Sequence, residues 1–85
     1  MNKWTSTYIK LVEQEQSYYQ QIMTTELCLN AIFDHITQYE QSFHPAATKD
    51  ILDMIQQIGN NLRADRLEVK LEKAILIYEM NKAHK

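Results

Sequence analysis

Apolar and polar positions alternate along this chain with a helical beat. From Trp4 to Phe43, apolar or aromatic residues recur at Trp4, Tyr8, Leu11, Tyr18, Ile22, Leu29, Ile32, Ile36, Tyr39 and Phe43. The steps are threes, fours and sevens, which place these side chains on one helical stripe. Glu15 and Thr25 fall on the same stripe and weaken it, while Ile9, Val12, Tyr19, Met23, Leu27 and Phe33 broaden it. Neither glycine nor proline interrupts the tract. It reads as one continuous helix, or as two helices, about 4–23 and 26–43, broken at Thr24-Thr25-Glu26.

A second tract begins at Pro45, a residue suited to a first helical turn. Thr48 and Asp50 are placed to cap its free amides. Ala47, Ile51, Met54, Ile55, Ile58 and Leu62 form its stripe. Gly59-Asn60-Asn61 then reads as a helix end followed by a new cap. The expected helices are therefore 46–58 and 61–82. Between the tracts, SFHPAATKD (42–50) reads as a tight helix–helix connection, with His44 a solvated turn residue.

The last tract, from Leu62, is apolar on two sides. Ala64, Leu67, Leu71, Ala74, Ile75 and Tyr78 share one helical face, and Leu62, Val69, Leu76 and Met80 lie roughly opposite. Arg63, Arg66, Lys70 and Lys73 occupy one flank; Asp65, Glu68, Glu72 and Glu79 occupy the other. Such a helix is either the central helix of a bundle, touching neighbours on both sides, or one whose first face packs internally while the other binds a partner. Leu62, Val69, Leu76 and Met80 are taken as the partner-binding face, joined by Tyr18 and Tyr19 of QEQSYYQQ, because tyrosines suit an interface with one wet side. If this helix pairs with itself, a parallel arrangement brings acid flank to base flank.

The 85-residue length allows one domain with a thin core, which a partner or a second copy would complete. The fold class is all-α: a small three- or four-helix bundle or an antiparallel helical hairpin, completed by oligomerisation. In size and helix layout alone, without diagnostic residues, the chain resembles bacteriocin immunity proteins, with their antiparallel four-helix bundles, and the short helical-hairpin co-chaperones of secretion systems. A net charge of −2 supplies no bulk attraction to nucleic acid or an acidic membrane. No apolar run reaches membrane-spanning length. A single cysteine, Cys28, excludes an internal disulfide and fits a reduced, cytoplasmic setting.

Little catalytic chemistry is visible. One glycine cannot build a phosphate-cradling loop. His35, His44 and His84 are scattered; only Glu40 and His44 have helical spacing, and Pro45 interrupts it. Cys28 and His35 are two turns apart, too far for a nucleophile–base pair. No enzyme activity, metal or cofactor is expected. The expected role is protein binding, as an adaptor, chaperone or inhibitor, with another protein or a second copy as partner. The alternative is a nucleic-acid-associated regulator whose Arg63, Arg66, Lys70 and Lys73 track phosphates.

Overall fold

The computed structural model describes residues 3–38 and 43–83. They form two α-helices, α1 (Lys3–Gln38) and α2 (Pro45–Ala83), packed antiparallel as one extended hairpin of 65 × 18 × 15 Å. A bundle of three or four helices is not what this chain forms by itself. Its radius of gyration, 19.2 Å, far exceeds the roughly 12 Å of a compact chain this size. Tyr39, Glu40, Ser42 and His84 lie outside the described residues.

Of the two readings of the first tract the continuous helix is the one formed, and the break expected at Gly59 is absent. At Thr24 and Thr25 the hydroxyls donate back to the carbonyls of Gln20 (3.0 Å) and Ile22 (2.7 Å), so neither competes for a helix end. At Gly59 the backbone does not take the positive φ that a glycine helix stop requires. The helix runs on because residues on both sides of Gly59 stay in phase with α1.

That phase is visible in the burial pattern. On α1 the buried and half-buried positions are Trp4, Thr5, Tyr8, Leu11, Glu15, Tyr18, Ile22, Thr25, Leu29, Ile32 and Ile36. On α2 they are Thr48, Leu52, Ile55, Gly59, Leu62, Arg66, Val69, Lys73, Leu76 and Met80. Apart from Thr5, both sets step by alternating fours and threes, the spacing of a two-helix coiled-coil seam. The α1 set is the stripe legible in the sequence as far as Ile36, including its two polar members; the expected helix to residue 43 is not formed, because α1 ends at Gln38 and Phe43 lies outside it, 42% exposed. The α2 set differs from the expected stripe: Ile55 and Leu62 belong to it, but Ile51, Met54 and Ile58 are more than half exposed.

The start of α2 is capped by His44. Its Nδ1 accepts the Ala47 amide at 3.3 Å, the side-chain capping bond expected three residues into a helix. The His44 carbonyl accepts both the Thr48 amide and the Thr48 hydroxyl at 2.9 Å. His44 is exposed, as expected, but it also caps the helix, and Pro45 takes the first helical position. Thr48 spends its hydroxyl on that carbonyl instead of capping an amide.

Candidate interaction surface

The seam is the only interior the described residues possess, and it is partly polar. Towards the open end of the hairpin, Lys73 donates to Glu15 Oε2, with both side chains largely covered (25% and 17% exposed). The Lys73 hydrogen bond holds the Glu15 carboxyl below its ordinary range; partial burial opposes this, and the charges of Lys73, Lys70 and Arg66 reinforce it. One turn along, the Arg66 guanidinium lies 5.3 Å from the centre of the Tyr19 ring, a cation–π distance. Further on, Arg63 pairs with Glu26 at 3.0 Å on the seam's exposed edge. These links join residues far apart in sequence and set the register of α1 on α2.

The two faces of the last tract have the opposite orientation to the one expected. Leu62, Val69, Leu76 and Met80 pack in the seam against α1; Val69 is only 7% exposed. The face assigned to the interior is the open one: Leu67, Leu71, Ile75 and Tyr78 are 52–69% exposed. The reason is electrostatic and steric. The α2 seam line carries Gly59, Arg66 and Lys73, so it is the less apolar of the two faces. It is nonetheless the line that places Lys73 against Glu15 and Gly59 against Thr25. Of the two tyrosines, Tyr18 is half-buried in the seam, while Tyr19 is 43% exposed beneath Arg66.

The basic flank is also drawn inward. Lys73 pairs with Glu15, Arg63 with Glu26, and Arg66 covers Tyr19, so three of the four side chains engage α1. Among the described residues, no three His, Cys, Asp or Glu side chains gather as a metal site requires, and no helix is long and apolar enough to cross a membrane.

The surface itself is strongly apolar. Among the described residues only Leu11, Ile22 and Val69 are buried hydrophobic residues, whereas fifteen large hydrophobic side chains are exposed. Two groups of them stand out, while Leu27, Phe33, Phe43, Ile51, Met54 and Ile58 lie outside both. One is the outer face of α2 from Leu67 to Tyr78. The other is a stripe on α1 beside the seam, Ile9, Val12, Tyr19 and Met23, each 40–44% exposed. No family model, curated protein or solved structure matches the chain.

Proposed function

We propose that this hairpin is a non-enzymatic protein-binding module, working as an adaptor, chaperone or inhibitor through apolar helix faces. The observation that carries the reading is the imbalance between its interior and its surface. Three buried hydrophobic side chains face fifteen exposed ones. Contiguous exposed apolar patches mark interaction sites, and a domain this small rarely stabilises itself through its own core. The outer face of α2 is the working surface, because Leu67, Leu71, Ile75 and Tyr78 are each more than half exposed and share one side of the helix, turned away from the α1–α2 seam.

The test is a single substitution on that face. Leu71→Glu leaves the hairpin helical by circular dichroism and removes association, whether with itself in light scattering or with a protein captured by the tagged chain. Association of the variant at wild-type strength by both measures would overturn the reading.

A further inference from the structure

We infer that the occupant of the α2 outer face is a second copy of this chain, docked parallel, with a two-fold axis running along the paired helices. This rests on the protein-binding reading above and names its partner.

The first support is spacing. Ala64, Leu67, Leu71, Ala74 and Tyr78 step by threes and fours, a complete second seam on the side of α2 away from α1. Such a stripe packs against an equivalent stripe by interlocking side chains. Its two alanines let the helix axes approach closely, while Leu67, Leu71 and Tyr78 supply the apolar area.

The second support is charge. One border of this stripe carries Arg63, Lys70 and Ile77; the other carries Glu68 and Ile75, with Glu72 a step further round the helix, and all of them are exposed. In a parallel pair, each border meets the opposite border of the other chain, so base faces acid on both sides. In an antiparallel pair, base would face base and acid would face acid. Arg63 can serve both roles: it keeps Glu26 within its own hairpin, its side chain is still 48% exposed, and a guanidinium has five N–H donors. The result is a row of four helices, α1 and α2 of one copy followed by α2 and α1 of the other.

Disulfide trapping tests both the partner and the direction. In a Cys28→Ser background, Ala64→Cys and Ala74→Cys are made separately and oxidised. A parallel pair sets each position against itself, so each variant forms a covalent dimer in comparable yield. In an antiparallel pair, positions 64 and 74, roughly 15 Å apart along the helix, cannot both meet themselves. Efficient trapping at only one of them, or only of a 64–74 link when the two variants are mixed, overturns the parallel dimer. So does a monomer by light scattering at a hundred micromolar, a concentration chosen to populate even a weak dimer. Leu71→Glu, with helicity retained, is expected to weaken the dimer at least about tenfold, as a charge placed within a desolvated interface does; an undiminished dimer overturns the assignment of the face. A monomeric wild-type chain whose capture of another protein depends on Leu71 overturns the second copy alone. Loss of the wider protein-binding reading requires that Leu71→Glu change neither self-association nor capture.

Discussion

Thr25 and Gly59 meet across the seam, close enough that a Cβ added to Gly59 would lie 3.3 Å from Thr25 Oγ1 and 3.1 Å from Arg63 Nη1. The Thr25 hydroxyl is turned into its own helix, donating to the Ile22 carbonyl. The helices come together here because one partner lacks a side chain.

Gly59→Ala is therefore a balance of two small effects. Alanine gains up to about 1 kcal/mol in helix propensity. Against this, the half-exposed end of Arg63 and the Thr25 hydroxyl, held on the Ile22 carbonyl, must both shift by a few tenths of an ångström. The expected outcome is a melting temperature close to that of the wild type. Gly59→Leu overfills the same space and is expected to destabilise by about 1–3 kcal/mol. Thermal denaturation followed by circular dichroism distinguishes the two.

Val69 and Leu67 are two residues apart on opposite sides of α2. Val69 is 7% exposed and Leu67 is 69% exposed. In dilute solution, Val69→Ala is expected to cost about 1–3 kcal/mol, and Leu67→Ala within about 0.5 kcal/mol of nothing. Urea denaturation at low protein concentration measures both. A larger loss at Leu67 would mean that the seam lies on the other face of α2.

The Glu15–Lys73 pair predicts an acid-sensitive hairpin. The folded Glu15 carboxyl titrates below its unfolded value because Lys73 hydrogen-bonds to its charged form. Its contribution is thus fully present above the ordinary glutamate pKa of roughly 4.3 and is lost as pH falls through the lower folded value. Glu15→Gln is expected to lower the melting temperature at neutral pH and to flatten its decline on acidification. Melting curves from pH 7 to pH 2.5 for both proteins give the comparison; parallel declines would refute it.

His44 predicts a stabilising substitution. Its ring nitrogen accepts the Ala47 amide at a rather long 3.3 Å. Aspartate is a stronger cap and adds a favourable charge at a helix N-terminus. His44→Asp is expected to stabilise by about 0.5–1 kcal/mol, and His44→Ala to destabilise by a similar amount. Denaturation midpoints at constant ionic strength decide the sign.

The α1 stripe was legible from periodicity because eight of its ten seam positions are apolar, and Glu15 and Thr25 could be seen to interrupt it. The α2 seam was hidden by the same rule. With Thr48, Gly59, Arg66 and Lys73 on the seam line, the outer line through Leu67, Leu71 and Tyr78 looks the more interior of the two. A signal was nonetheless present: the polar interruptions of one tract have counterparts in the other, glutamate for lysine and threonine for glycine. The supposed break at Gly59 failed for a related reason. A glycine reads locally as a stop, but its missing side chain served a neighbour thirty-four residues away.

The sequence by itself determined that this chain is helical, that a second helix starts at the histidine–proline step, and that the last tract is apolar on both sides. These properties are local, set by residue spacing, propensity and capping. The tertiary structure alone decided which side of that tract turns inward. That choice depends on matching a half-buried lysine to a glutamate and a glycine to a threonine, pairings that exist only once the helices lie together in one register.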